Sequence, residues 1–301
     1  MTTIPAGCAR PRPACTRLAR TLRLLPGLLA ACLVAAPLAA CGPDPAPPVG
    51  TATATTTPTT TPTTDAGDGV RYGGGAEGVL PPALADVVAP AAADDRGGIP
   101  VSSAGVGVAG EGDVVVDVYA DPACPWCARF DAQHAEALLV LVADGGVTLV
   151  HRPLAFLDDR FGGTYSTRAV HALAVVADGS PEHYVDVLHA LMAHQPDPDD
   201  TEALTDLEIA DLARAAGVPE AVVERFTAVA ETPFEVATAD GGTERRTATS
   251  RVLAPWVAAA THRAALDLGA VRVPTILVDG VPVEDWDETG RLADAIAAAR
   301  A

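Results

Sequence analysis

The sequence predicts an α/β fold in which a βαβ unit and a ββα unit build one small mixed sheet, with an all-helical subdomain inserted between them. Three observations lead there. Strand, helix and strand patterns follow one another over residues 113–153; helix caps recur through 163–269; and a hairpin followed by an amphipathic helix closes the chain over 275–300. The folded body is expected over 95–162, 163–269 and 270–301, behind two segments of different character.

The first of these, residues 1–40, carries Arg10, Arg12, Arg17, Arg20 and Arg23 with no acid, then the apolar run "LLPGLLAACLVAAPLAAC" at 24–41. A basic stretch ahead of an apolar one is the pattern of an export signal. "LAAC" at 38–41 resembles a bacterial lipobox, which implies cleavage before Cys41 and lipid on its sulfur; the same four letters at 29–32 make Cys32 a rival. A retained membrane anchor is the other reading, because about 17 apolar residues are just enough to span a bilayer. Residues 41–94 are expected to form a disordered tether. The stretch 42–69 is Pro- and Thr-rich with almost no large apolar side chain, so burial cannot offset its ordering entropy.

The 39 acids and 20 arginines of the 301 residues give a formal charge of −19, and the chain has no lysine. Loss of the five leader arginines takes the charge to −24. Such a surface excludes nucleic acid and anionic headgroups as partners, and leaves lipid as the means of membrane attachment.

Within the body, "DVVVDVY" (113–119) is a β-branched run closed by Asp121-Pro122, hence a strand. "PWCARFDAQHAEALLVLVADGG" (125–146) places Phe130, Leu138, Leu141 and Val142 at helical spacing, and "VTLVHRP" (147–153) is a second strand. The right-handed crossover makes these strands parallel. In the insertion, Ser180 precedes Pro181, Thr205 and Glu208 form a capping box, and Gly179, Gly217 and Gly269 stand where helices end. "TILVDGVPV" (275–283) is a hairpin turning at Asp279-Gly280, and residues 287–300 form a helix with Leu292 and Ile296 inward.

The chemistry is concentrated in "DPACPWCARF", 121–130. Cys124 follows the strand and precedes the helix, so it is the N-cap, with Pro125 at N1 and Cys127 at N3. An N-cap side chain accepts hydrogen bonds from the amides of N2 and N3, here Trp126 and Cys127. With the helix dipole adding about 0.3 to 2 kcal/mol, the thiolate of Cys124 is favoured. One helical turn brings Cys127 within disulfide reach, so it can attack a mixed disulfide held on Cys124. A staple across four residues would remove little unfolded-state entropy. A zinc site needs two more ligands, yet no cysteine follows Cys127 and the seven histidines form no second close pair.

"VYADPACPWCARF" with "HRPL" at 151–154, the inserted helical block and "RVPTILVDG" at 272–280 resemble the DsbA-like branch of the thioredoxin-fold oxidoreductases, from about residue 111 to 301. The resemblance implies a thioredoxin fold, with Pro274 cis and facing the cysteine pair, and with the backbone of Val273 offering strand-like hydrogen bonds to an extended client. The family often carries an acid six positions before the first cysteine. That position here is Val118, and the acid, Asp117, stands one residue earlier. A one-residue shift along a strand reverses the face, so Asp117 is expected to be a solvated or capping acid as readily as a proton relay. Trp126 is expected at the exposed helix start, contacting client or merely packing. Asp121 and Arg129 are expected at the surface with small effects.

The expected function is an extracytoplasmic, membrane-tethered thiol-disulfide oxidoreductase acting through Cys124 and Cys127. An oxidase is favoured over a reductase because disulfides persist outside the cell, although the Pro-Trp dipeptide between the cysteines leaves the direction open. No organic cofactor and no metal are implied. Its partners would be exported cysteine-containing proteins and a membrane redox protein that recycles it. The alternative is a lipoprotein that holds a soft ion such as Cu(I) with the same pair; a third reading is a client-binding module without catalysis.

Overall fold

The computed structural model describes residues 78–158, 163–196 and 203–301. The expected leader, Cys32 and Cys41, and the tether up to residue 77 lie outside these residues. The first described elements are β1 (Val79–Leu80) and a 3-10 turn at Leu84–Asp86, inside the segment expected to be disordered. Order therefore begins before residue 95. Apolar side chains return here, and Leu84 and Val87 pack against the core.

A short hairpin, β2 (Ile99–Ser102) and β3 (Gly105–Val106), leads to β4 (Val114–Ala120), α1 (Pro125–Ala143) and β5 (Val147–Pro153). β4 and β5 are parallel from Val114↔Val147 to Ala120↔Pro153, as the crossover predicts. The insertion contains α2 (Tyr165–Gly179), α3 (Tyr184–Ala193), α4 (Asp206–Ala215) and α5 (Glu220–Val223). The predicted capping box is present: Thr205 Oγ1 accepts from the Glu208 amide, and the Glu208 carboxylate accepts from the Thr205 amide. Ser180, by contrast, precedes a 3-10 turn at Pro181–His183, and its hydroxyl hydrogen-bonds His183 rather than capping.

The insertion is not all-helical. β6 (Val229–Ala237) and β7 (Thr243–Arg251) form a nine-residue antiparallel hairpin, and β1 adds to its free edge at Val79↔Val236. β-branched and aromatic residues alternate through Thr232, Phe234 and Val236, and the chain reverses where Gly241 takes φ 84°. That pattern is a strand signal. Only after it does the last inserted helix, α6 (Ala254–Leu268), return the chain to the main sheet.

The close of the chain is β8 (Thr275–Val278), β9 (Val281–Pro282) and α7 (Arg291–Ala299). Asp279 and Gly280 both have positive φ, 48° and 80°, as a two-residue hairpin turn requires. α7 begins four residues later than residue 287, because Gly290 sits ahead of it in the left-handed region. Leu292 and Ile296 are buried, as expected. Among the described residues the main sheet has the order β3-β2-β5-β4-β8-β9, with β8 antiparallel to β4. Side chains alternate across it. Val116, Val118 and Ile276 join the large core that holds Phe130, Leu138 and Ile296, whereas Tyr119 and Leu277 pack with Ala264 of α6.

Candidate active site

β4 ends and α1 begins at the cysteine pair. Cys124 is the N-cap, with extended backbone at φ −92° and ψ 115°, and Pro125 occupies the first turn. The first helical bond runs from the Cys127 amide to the Cys124 carbonyl at 2.9 Å. The two cysteines are not joined in a disulfide and both are buried, Cys127 at 1% exposure and Cys124 at 5%. Burial pushes the Cys127 thiol well above its usual range, and the hydrogen bond and charge of the Cys124 sulfur push it the same way.

The Cys124 side chain makes no capping hydrogen bond to the helix amides, contrary to expectation. In the thiol form it donates instead to the Val273 carbonyl, at 3.4 Å. That carbonyl belongs to the Val273–Pro274 peptide bond, which is cis, as the resemblance implies. The loop is tied by Thr275 Oγ1, which donates to the Arg272 carbonyl at 2.7 Å. Cys124, Val273 and Pro274 are thus brought together from two ends of the chain.

Two residues the sequence reading undervalued or missed shape this corner. Asp121 is fully buried, not a surface acid. Its carboxylate accepts from the Ala123 amide at 2.9 Å, the Ser166 hydroxyl at 2.6 Å and the Leu157 amide at 3.0 Å, tying the turn before Cys124 to α2 and to the segment after β5. Burial outweighs these donors and raises its carboxyl to about 7. Gln195, beyond α3, donates to the Cys124 carbonyl at 2.9 Å. No local sequence signal couples position 195 to position 124; only the fold does. Asp121-Pro122 was legible as a turn, but not the three donors that converge on it.

Trp126 is 55% exposed at the helix start, with the Arg129 guanidinium 5.2 Å from its ring. Arg129 also lies 3.6 Å from Asp287 and is at the surface, as expected. Behind Cys127 is an apolar cavity that Val118, Phe130, Asp131, His151, Tyr184 and His189 help to line. Asp117 points away from it. It is buried on the opposite face, neither solvated nor capping, and its Oδ1 lies 2.6 Å from Arg152 Nε. Arg152 also reaches Asp94 at 3.2 Å and lies over the Tyr119 ring. Among the described residues, no group of three or more His, Cys, Asp or Glu side chains could hold a metal ion, and no helix is long and apolar enough to cross a membrane.

Comparison with known proteins places this geometry. The profile of the family described as thioredoxin matches residues 109–297. MdbA, a thiol-disulfide oxidoreductase from Actinomyces oris, superposes with TM-score 0.51 at 18% identity, covering 72% of this chain and 96% of its own. BdbD from Bacillus subtilis, in its oxidised form, gives TM-score 0.51 at 17% identity over 71% of this chain and 98% of its own. At such identities the likeness is one of fold. A serine/threonine-protein kinase, PknE of Mycobacterium tuberculosis, is 35% identical over 106 residues, which are 34% of this chain and 19% of the kinase. The match therefore spans about a fifth of that relative's length.

Proposed function

The chain belongs to the thioredoxin family, and from that premise we propose that it is an extracytoplasmic thiol-disulfide oxidoreductase exchanging the Cys124–Cys127 disulfide with exported proteins. The observation that carries this reading is the meeting of Cys124, at the start of α1, with the Val273 carbonyl beside cis Pro274. Cys127 is shielded directly behind.

In the oxidising direction a client thiolate attacks Cys124 Sγ. The Cys124–Cys127 bond breaks, and the Cys127 sulfur takes the electron pair and then a proton. A second client thiolate attacks the client sulfur of the mixed disulfide. The client disulfide forms and Cys124 leaves as a thiolate, which the N-terminal end of α1 favours through its dipole. Two electrons have passed to the enzyme, and a membrane redox partner removes them. Val273 supports the client backbone, and exposed Trp126 offers an aromatic surface to unfolded chain. Lipid on Cys41 and the Thr/Pro-rich stretch at 42–69 as a tether would hold this chemistry near the bilayer. The oxidase direction follows from the compartment, where disulfides persist.

The test is refolding of a reduced, disulfide-requiring client in a glutathione buffer. Wild type should accelerate recovery, and Cys124→Ser should reduce it to the uncatalysed rate. Equal recovery with both proteins would overturn catalysis and leave a client-binding module.

A further inference from the structure

Exchange moves one proton on or off Cys127 in every cycle. At 1% exposure, Cys127 has no direct access to solvent water for that transfer. Val118, on the strand beside it, has no group that could do it. The titratable groups around it are Asp121 from the β4–α1 turn, Asp131 from α1 itself, His151 from β5, and Tyr184 and His189 from α3.

These are not equivalent. Asp121 is wholly buried, and its two oxygens are already occupied by three donors. His151 is held neutral by burial, its pKa lowered to about 3, and its Nδ1 lies 3.3 Å from the Tyr184 hydroxyl. Burial also raises Tyr184 beyond use. Asp131 stands one helical turn after Cys127, at i+4 on the same face of α1. Its Oδ1 is 3.4 Å from His189 Nε2, and the two side chains are 19% and 31% exposed. A relay must meet the thiol on one side and water on the other, and this pair lines the cavity while remaining open to solvent.

We propose that the Asp131–His189 pair is the proton relay of Cys127. Burial makes the Asp131 carboxylate a stronger base than a surface aspartate, and the charge of His189 holds it back in part. As a mixed disulfide resolves, the Cys127 thiol gives its proton to Asp131. The Cys127–Cys124 bond forms, and the bond from Cys124 to the client sulfur breaks, leaving the client as thiolate. In the reverse direction the pair returns the proton as Cys127 is displaced. This inference rests on the disulfide-exchange reading above.

The test uses the full chain, reduced, with glutathione disulfide as probe, acid-quenched at intervals and analysed by mass spectrometry from pH 5 to 8. After acid proteolysis, the mass of the peptide that holds Cys124 and Cys127, apart from the other four cysteines, separates the glutathione adduct from the internal disulfide, so formation and resolution are read separately. Asp131→Asn should leave adduct formation unchanged, slow resolution about 100-fold near neutral pH, and flatten its pH profile to that of an unassisted thiol. His189→Gln should slow resolution in the same direction by about tenfold. Folding of both variants is checked by thermal melting. A folded Asp131→Asn protein with the wild-type resolving rate and pH profile overturns the relay. So does equal slowing of both steps in both variants, which marks a structural role. Wild type that forms no adduct at all instead overturns the exchange reading, and the relay falls with it.

Discussion

Asp117 and Val118 are neighbours on β4, yet they face two different interiors. On the Val118 side lies the apolar cavity behind Cys127, bordered by the partly solvated carboxylate of Asp131. On the Asp117 side a carboxylate is sealed against Arg152 and backed by Asp94, under α6. The contrast teaches that an acid's role follows from what else reaches it. A buried carboxylate fully engaged by a guanidinium is a structural charge, whereas one that lines the cavity behind a buried thiol and stays partly exposed can carry protons.

The largest effect that should separate the two faces is on stability. Asp117→Ala leaves the Arg152 charge buried with its main partner gone and should cost about 3–5 kcal/mol in urea unfolding, while the pH profile of adduct resolution stays that of wild type. If resolution changes as it does in Asp131→Asn, the division between faces is wrong. A second variant sharpens the comparison from the other side. Placing an acid on the cavity face with Val118→Glu, in the Asp131→Asn background, should restore resolution by about tenfold, at some cost in stability; no recovery in a folded protein would show that face cannot host a relay.

A pH-dependent effect of similar size, spread over about three pH units, is expected at Asp121. Its carboxyl titrates near 7 in the fold against 3.8 in the unfolded chain. Between those values the fold holds a proton that the unfolded chain has released, so this residue's contribution is fully present below about pH 4 and is lost as pH rises towards 7. Asp121→Asn removes that loss. Its unfolding free energy should therefore rise more steeply with pH than wild type's, by about 1.4 kcal/mol per pH unit within the window. Parallel stability curves would contradict the assignment. The smallest effect belongs to exposed Trp126. Trp126→Ala should shift stability by less than about 0.5 kcal/mol while raising KM for an unfolded client, and an unchanged KM would reduce this side chain to surface packing.

The elements that bracket the chemistry were the legible ones. β4, α1 and β5 stand where β-branched runs and the Phe130 to Val142 spacing put them, and the Asp279-Gly280 turn has the backbone its residues demand. Cys124 at the N-cap and cis Pro274 were readable because both are tied to short motifs. The β6–β7 hairpin escaped because its strands are largely exposed and lack a continuous apolar face; Thr232, Phe234 and the turn at Gly241 were weak markers among helix caps. Gln195, the three donors on Asp121 and the Asp131–His189 pair were invisible for another reason. Each depends on elements far apart in sequence meeting in space, and neither periodicity nor spacing reports that. Even the Cys124 cap, correct in position, bonds differently from expectation, because its thiol hydrogen goes to Val273 across 149 residues.

The most direct measurement of the division of labour between the two sulfurs is trapping of client in cells. Cys127→Ser, whose Cys124 can still attack a client disulfide, should accumulate disulfide-linked client on Cys124, since resolution by Cys127 is lost, and Cys124→Ser should accumulate none. Stable Cys127→Ser protein carrying no client, or trapping by Cys124→Ser instead, would contradict the account.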